Sequence, residues 1–237
     1  VTFTYGDLID GADIENGTLE VKTGDRVLAP AEDGGLVFEL PVGHDYAWTF
    51  KSGNYARQAG DIDLSQAAES GTQNVTIPLE EKTAWEGADD ILEPAKQDGV
   101  YQISSGAELA WLAQEVNAGR GASYDAALTR DIDLGGKNWT PIGNTSSRAY
   151  KGVFDGQGYI INGLNIDSSS TYQALFGYTN GATVRNLTVK GSVKAGQYAA
   201  GLLAQAGYGT TLENCISRVN VVSSGGFTGG LVGDIYG

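Results

Sequence analysis

The chain has very few of the residues that most often perform metal or nucleophilic chemistry. Its 237 residues include one Cys, one His and no Met. A single Cys excludes an internal disulfide. With His44 as the only histidine, an HExxH zinc site cannot form, and a Ser-His-Asp triad would have to recruit that residue from the turn-like stretch "VGHDY". The sequence also lacks a P-loop and a GxGxxG motif between a strand and a helix. We therefore expect no catalytic residues of these classes, no cofactor and no resident metal.

Long apolar runs and an excess of positive charge are missing too. The sequence contains no stretch of about 18 apolar residues, the length that a membrane-spanning helix requires. The 29 acidic residues against 15 basic ones give a net charge of −14, and such a surface repels nucleic-acid phosphates and anionic lipids. We therefore expect no nucleic-acid partner and no membrane insertion. Together with the scarcity of Cys and Met, the acidity favours an extracellular protein, secreted or on a cell surface.

Glycine and tyrosine are abundant instead, with 35 Gly and 12 Tyr in the chain. This composition favours many short strands joined by tight turns, and it predicts an all-β fold. The sequence begins without an initiator Met or a signal-like segment, and it ends within a pattern that has already repeated. We therefore expect the chain to be a piece of a longer protein.

Two regions with different patterns define the expected domains. In residues 1–82, segments of alternating apolar and polar residues predict about seven short strands in a small β-sandwich. One of them, "DYAWTF", places its three aromatic residues on the same face of a strand. Residues 83–99 are charged and irregular, which predicts a linker. Residues 100–237 form the second domain.

The first region resembles a known family of small sandwiches. The stretch "ELPVGHDYAWTFKSGNYARQAGDIDLS", followed by "QNVTIPLEE", resembles the carboxypeptidase-regulatory-like modules of bacterial surface proteins. The residues that carry the resemblance are Leu40, Pro41, Gly43 and Tyr46 at one step and Gly53 and Tyr55 at a turn, with Asn54 inserted between the last two. The resemblance implies an Ig-like or transthyretin-like β-sandwich that acts as a spacer or binding unit and has no catalytic residues.

One amphipathic helix opens the second region. In "SSGAELAWLAQEVNAG", Ser105 and Glu108 have the spacing of a capping box, and Gly119 is placed to end the helix. The apolar residues that share one helical face are Leu109, Leu112, Ala113 and Val116. A helix of this kind can bind a partner. We expect it instead to cap the domain that follows, because repeat arrays need capped ends.

A sequence repeat follows the helix. Leu175, Leu202 and Leu231 align with one another, as do Asn186 and Asn214, at steps of about 27–29 residues. Val153 begins an earlier and shorter round. Periods of this length with short strands predict a solenoid, in this case a right-handed parallel β-helix. Its interior would hold one column of Val153, Leu175, Leu202 and Leu231 and a second column of Leu164, Leu187 and Cys215.

Several polar and turn residues allow a structural or a chemical interpretation. Asp155 and Gly156 indicate a tight turn, with an active-site carboxylate as the alternative role of Asp155. Trp139 with Ile142 is expected to plug the first round. Asp131 and Asp133 share a strand face, so they are candidates for a glycosidase carboxylate pair or a Ca²⁺ contact, although solvated strand faces commonly carry such pairs. Cys215 is expected to be a small buried hydrophobe.

Five tyrosines of the repeat region are predicted to be exposed aromatic residues. They are Tyr150, Tyr172, Tyr178, Tyr198 and Tyr208. These rings can stack on sugars, or they can form a ladder along the surface of the domain. We favour the ladder.

The second region as a whole resembles the GLUG-motif repeats of secreted bacterial surface proteins. The segments that carry the resemblance are "ISSGAELAWLAQEVNAG", "DIDLGGKNWTPIGN", "FDGQGYIINGLNI", "ALFGY", "VRNLTV" and "GGLVG". The chain departs from the Gly-Leu-Phe/Val-Gly box at Ala174 and at residues 201–204. Such repeats also occur in the non-catalytic part of IgA-specific metallopeptidases.

These features predict a non-catalytic module of a bacterial secreted or cell-surface protein. We expect it to serve in adhesion or as a stalk, with a glycan or a host extracellular protein as partner; the sequence does not indicate an oligomeric state. Two alternatives are the non-catalytic N-terminal region of an IgA-protease-like zinc metallopeptidase and a β-helix glycoside hydrolase or lyase.

Overall fold

The chain folds into strands with one α-helix among the described residues, which confirms the all-β class. The structure is a computed structural model, and it describes residues 1–6, 14, 17–31, 36–52, 55–67, 71–80 and 82–236. Two compact units divide the chain, Val1–Thr83 and Ala84–Gly237. Gly53 and Asn54 of the turn predicted in the first region lie outside the described residues.

The first unit contains a two-stranded and a four-stranded sheet. Its strands are β1 (Thr2–Tyr5), β2 (Thr18–Thr23), β3 (Arg26–Leu28), β4 (Asp45–Lys51), β5 (Gln58–Asp63) and β6 (Asn74–Ile77). Strands β1 and β6 pair in parallel, and the other four pair antiparallel in the order β3-β2-β4-β5. Because side chains alternate across a strand, Tyr46, Trp48 and Phe50 of β4 all point to one face, and all three are buried. Both sheets contribute residues to the same hydrophobic cluster.

The second unit begins with the segment predicted as a linker. Trp85 and Leu92 of this segment are buried in the core of the unit, at 4% and 5% exposure. The Trp85 indole Nε1–H donates a 2.8 Å hydrogen bond to the Asp90 carbonyl. Residues 84–99 are therefore packed as part of the second unit.

Helix α1 (Gly106–Ala118) follows strands β7 (Ala95–Gln97) and β8 (Val100–Ile103). The Ser105 hydroxyl accepts from the Glu108 backbone N–H at 3.3 Å, and the Glu108 carboxylate accepts from the backbone N–H of Ser104 at 2.6 Å. The carboxylate thus reaches one residue further back than a capping box requires. Gly119 ends the helix with a φ of 85°, in the left-handed region that glycine adopts at helix ends. The apolar face predicted for this helix is buried: Leu109, Leu112, Ala113 and Val116.

After the helix, the chain adds strands to three parallel sheets in turn. The strands are β9 (Ala126–Leu128), β10 (Ile132–Asp133), β11 (Val153–Asp155), β12 (Ile160–Asp167), β13 (Phe176–Thr179), β14 (Thr183–Arg185), β15 (Thr188–Ala195), β16 (Ala199–Ala200), β17 (Leu203–Ala206), β18 (Thr211–Glu213), β19 (Ile216–Ser223), β20 (Thr228–Gly229) and β21 (Val232–Ile235). The three sheets have the orders β18-β14-β11-β9-β8-β7, β10-β12-β15-β19 and β13-β17-β21, and β16 pairs with β20. All these pairings are parallel except β7 with β8.

The register shows that partner residues lie one round of chain apart. Val189 of β15 stands between Ile161 of β12, from the round before, and Ser217 of β19, from the round after. Phe176 pairs with Leu203, which in turn pairs with Val232. Inward-facing residues from all three sheets fill one hydrophobic cluster. Each round therefore buries its apolar residues against the round before it and the round after it.

The pairing of β11 differs from the predicted alignment. Val153 pairs with Thr183 of β14, and not with a residue of the sheet that contains β13. Phe154 and Phe176 instead lie in two different sheets of the same round, with ring centroids 5.3 Å apart. The predicted column that joined Val153 to Leu175 is therefore wrong, because β11 and β13 belong to different sheets.

A bulge in β12 adjusts the length of one round. Ile161 pairs with Val189 and Leu164 with Gly191, so Asn162 and Gly163 together stand opposite a single residue of β15. Gly163 has a φ of 67°, and a Cβ there would lie 2.6 Å from the Asp133 carboxylate. Only glycine satisfies both conditions without strain.

Candidate functional site: outward-facing columns of the second unit

Asp155, the candidate carboxylate of the predicted turn, is the last residue of β11. Asp155 accepts hydrogen bonds from the Gln157 backbone N–H at 2.9 Å, the Asn186 side-chain amide at 3.0 Å and the Arg185 guanidinium at 2.8 Å. Burial raises the pKa of this carboxyl, but the three hydrogen bonds and the charge of Arg185 outweigh burial and hold the pKa below its usual range. A low pKa suits a structural anion, whereas a general acid needs a raised pKa.

Gly156, Asn186 and Asn214 occupy equivalent turn positions in three successive rounds. A Cβ at Gly156 would lie 2.5 Å from the Asn186 carbonyl oxygen, so only glycine fits there. Asn186 and Asn214 have left-handed φ values of 53° and 51°, and the Asn214 amide donates to the Asn186 side chain at 3.2 Å. The equivalent turn positions thus form a short ladder of hydrogen bonds.

The two other candidate carboxylates also cap backbone groups. Asp131 accepts from the Ile160 N–H at 2.8 Å, and Asp133 accepts from the Gly135 N–H at 2.7 Å. Each carboxylate therefore fixes a local connection. Among the described residues, no group of three or more His, Cys, Asp or Glu side chains is arranged to hold a metal ion.

Trp139, predicted as a plug, and the predicted column of leucines contribute to the core of the second unit. Trp139 is 2% exposed, packs edge-on against Trp85 at 5.4 Å and donates from its indole N–H to the Leu175 carbonyl at 3.2 Å. Leu175, Leu202 and Leu231 occupy equivalent positions directly before β13, β17 and β21; the first two are fully buried and Leu231 is half-buried.

Cys215 occupies the position equivalent to Leu187 and is half-buried. Burial raises the pKa of its thiol. Leu164 pairs with Gly191 and does not belong to this column.

The five tyrosines fall into three environments. Tyr150 is fully buried and donates to the Tyr124 carbonyl at 2.8 Å, so the prediction that it is an exposed aromatic residue is wrong. Tyr208 is 63% exposed and packs edge-on against Tyr236. Tyr172, Tyr178 and Tyr198 lie half-buried on the surface of the unit.

An aromatic ladder runs across three rounds at this surface. Tyr172 and Tyr198 stack with centroids 5.2 Å apart, and Tyr198 and Phe227 stack at 4.7 Å with an angle of 2° between the rings. Tyr178 and Tyr172 meet edge to face, with ring centroids 5.6 Å apart. Neighbouring rings stack on both sides of Tyr198, whereas Phe227 at the end of the ladder is 41% exposed. This arrangement is the ladder that the sequence left as one of two interpretations, and Phe227 is a member that the sequence analysis missed.

The outer face of β12, β15 and β19 contains further columns that the sequence analysis missed. Asn165, Ser192 and Asn220 align directly, and Ser192 and Asn165 lie within hydrogen-bonding distance at 3.2 Å. Lys190 aligns with Arg218. The signal that would have found these columns is the repeat step, which is the same from Lys190 to Arg218 as from Asn186 to Asn214.

Comparisons with known proteins give two partial similarities. The chain is 28% identical over 147 residues to Halomucin of Haloquadratum walsbyi, a match that covers 58% of this chain and 2% of that protein. It is 35% identical over 100 residues to a Gly-rich membrane protein of Evansella cellulosilytica, covering 38% of this chain and 12% of that protein. The chain thus spans a small fraction of either relative. No family model and no solved structure matches the chain.

Within the described residues, no helix combines the length and the apolar character needed to cross a membrane.

Proposed function

We propose that the chain is a non-catalytic module of a secreted or cell-surface protein, in which it serves as an adhesive scaffold. The observation that carries this proposal is the set of outward-facing columns, where polar and aromatic side chains repeat in register from round to round. Such columns present the same chemistry at regular intervals, which suits contact with an extended partner such as a glycan or a host extracellular protein. The names of the two partial relatives are in keeping with a surface location.

The proposal includes a specific architecture for each unit. For the first unit, the two sheets around one core support a small β-sandwich of the carboxypeptidase-regulatory-like kind. For the second unit, the parallel pairings between successive rounds support a right-handed parallel β-helix of the GLUG kind, with α1 as its cap. An experimental structure of the chain tests both assignments.

Binding and hydrolysis assays on the purified chain test the function. We expect binding to an immobilised glycan or to a host extracellular protein on arrays that contain both classes, and no release of reducing sugar from the bound polysaccharide. Release of sugar that disappears on replacing Asp131, Asp133 or Asp155 by Asn would contradict the proposal and favour a β-helix hydrolase or lyase. The hydrogen bonds that these carboxylates accept support the non-catalytic assignment.

The role of the chain as the front part of a zinc metallopeptidase stays a second proposal. Its support is the resemblance of the repeats to those in the non-catalytic part of IgA-specific metallopeptidases. Because His44 is the only histidine of the chain, an HExxH zinc site would have to lie outside this sequence. Sequencing the native coding region beyond Gly237 tests it. An HExxH motif downstream would favour the peptidase, and further repeats or a wall-anchoring segment would favour the adhesive scaffold.

A further inference from the structure

The outer face of β15 and β19 concentrates positive charge in an acidic chain. Lys190, Lys194 and Arg218 all point outward from these two strands, because the alternate positions, such as Val189 and Val193, are buried. The outward positions of the two strands contain no acidic residue, whereas the chain as a whole has 29 acidic and 15 basic residues. This local excess of cations fits an anionic partner.

Two of these three cations have no carboxylate within ion-pair distance among the described residues. Lys194 forms an exposed ion pair with Asp167 of β12 at 3.2 Å. Throughout the part of the chain that the structure describes, no carboxylate forms an ion pair with Lys190 or Arg218. These two side chains are neighbours on adjacent strands, which lie about 4.8 Å apart in a sheet. They therefore present a pair of charges that an external anion can neutralise.

A row of neutral hydrogen-bonding groups lies beside the charged pair. Asn165, Ser192 and Asn220 occupy the next outward-facing row, about 6.6 Å along the strands from Lys190 and Arg218. Amide and hydroxyl groups of this kind donate to and accept from hydroxyl groups of a ligand. Both rows run across the strands, in the direction in which successive rounds follow one another.

The charged row has a defined limit. Opposite Lys190, β12 has Asn162, which lies in its bulge. On the next strand, β10, Asp133 pairs with Asn162. The Asp133 carboxylate is engaged by the Gly135 N–H. The cationic part of the row thus begins at Lys190 and includes Arg218, on the last strand of this sheet among the described residues.

We propose that this face, defined by Lys190 and Arg218 with Asn165, Ser192 and Asn220, binds a linear polysaccharide built of uronate residues. The guanidinium of Arg218 matches a carboxylate in a two-point geometry, and Lys190 supplies a second charge one strand away. A polyuronate has one carboxylate on each sugar and free hydroxyls beside it, which corresponds to one charged row next to one neutral row. This inference rests on the proposed glycan-binding function and names its ligand class.

The test measures binding of the whole chain to immobilised polygalacturonate by biolayer interferometry at low ionic strength. Lys190→Gln and Arg218→Gln are each expected to weaken binding about threefold to fivefold, and the double variant at least about tenfold. Because exposed charges are screened by salt, wild-type binding should also weaken as salt is raised to physiological strength. Lys151→Gln is the matched control, since it removes the same charge from an exposed position outside this face, and it should bind as the wild type does.

Three further ligands make the outcomes distinguishable. Equal binding to polyglutamate or dextran sulfate would overturn the inference, because charge alone would then explain the affinity. Binding to neutral galactan that the double variant leaves unchanged would overturn the inference while the proposed glycan-binding function stands. Binding to none of the polysaccharides would overturn the inference together with its premise of a glycan partner, and would leave a host extracellular protein as the partner of the proposed scaffold. Thermal melts by circular dichroism establish that each variant is folded.

Discussion

Ser217 is expected to reduce the stability of the second unit, so that its replacement by alanine stabilises the protein. Ser217 occupies an inward-facing position whose equivalents in the preceding rounds are Ile132, Ile161 and Val189, all nearly or fully buried. Its hydroxyl oxygen is buried and has no hydrogen-bond partner among the described residues. Leaving a buried hydroxyl unsatisfied costs about 1–3 kcal/mol. Ser217→Ala removes that group and forfeits only the few dispersion contacts of one oxygen atom, so we expect a gain of about 1 kcal/mol.

Ser223 on the same strand provides a matched control. Its hydroxyl donates to the Gly196 carbonyl at 2.6 Å and accepts from the Gly225 N–H at 3.1 Å. Ser223→Ala therefore loses two hydrogen bonds and should destabilise the unit by about 1–2 kcal/mol. The same chemical change on one strand is thus expected to have opposite signs at two positions.

Urea denaturation monitored by tryptophan fluorescence measures both effects. Three of the four tryptophans, Trp85, Trp111 and Trp139, belong to the second unit and report on its transition. A stabilised Ser217→Ala variant would show a higher midpoint with an unchanged slope of free energy against urea. A midpoint lowered as far as that of Ser223→Ala would refute the reasoning, because Ser217 would then be satisfied by a partner.

Three further predictions concern the ladder, the turn and the thiol. Tyr198→Ala removes the middle ring between Tyr172 and Phe227, and the loss of two stacked pairs should lower the free energy of unfolding by about 1–3 kcal/mol, measured by urea denaturation. The lowered pKa of Asp155 contributes stability that is present above the unfolded-state pKa, near 4, and is lost as the pH falls through the folded-state pKa. Asp155→Asn should therefore flatten the decline of the thermal midpoint between about pH 5 and pH 2, and an unchanged decline would contradict the assignment. Because burial raises the pKa of the Cys215 thiol, iodoacetamide should alkylate the folded protein more slowly at pH 8 than the urea-unfolded protein, as mass spectrometry would show.

Local patterns predicted the elements with a strong periodicity. The alternation in "DYAWTF" predicted that Tyr46, Trp48 and Phe50 share a buried face, and the i, i+3, i+4 spacing after Ser105 predicted the buried face of α1. These patterns depend on residues that are neighbours along the chain. The backbone geometry of one strand or one helix is sufficient to relate them.

Equivalences between rounds were harder to predict, because the steps are not constant. The step from Tyr101 to its partner Ala126 is shorter than the step from Val153 to its partner Thr183. A bulge, such as the one at Asn162 and Gly163, shifts the register by one residue, and its glycine does not stand out in a chain with 35 Gly. Tyr150 was wrongly predicted to be exposed for a related reason. The ring of a tyrosine is apolar and can be buried or exposed, and the strand pairing of each round decides which way it points.

The outward-facing columns could not be found from residue types alone. Lys190 and Arg218 belong to no short motif, and a full round of other chain separates them. Their proximity follows only from the parallel register of β15 and β19. A candidate surface in a repeating unit is therefore predicted by comparing equivalent positions of successive rounds, once the step between those rounds is known.

The narrow range of the sequence separations between paired strands has a consequence for the rate at which the second unit folds. Every parallel pairing closes a loop of about 25–30 residues, and the entropy lost on closing a loop depends on its length. Each added round therefore costs about as much entropy as the one before. The mean sequence separation of contacting residues thus stays level as rounds accumulate, and relative contact order falls with chain length. Once one round has formed, the next can pair with its exposed strand edges.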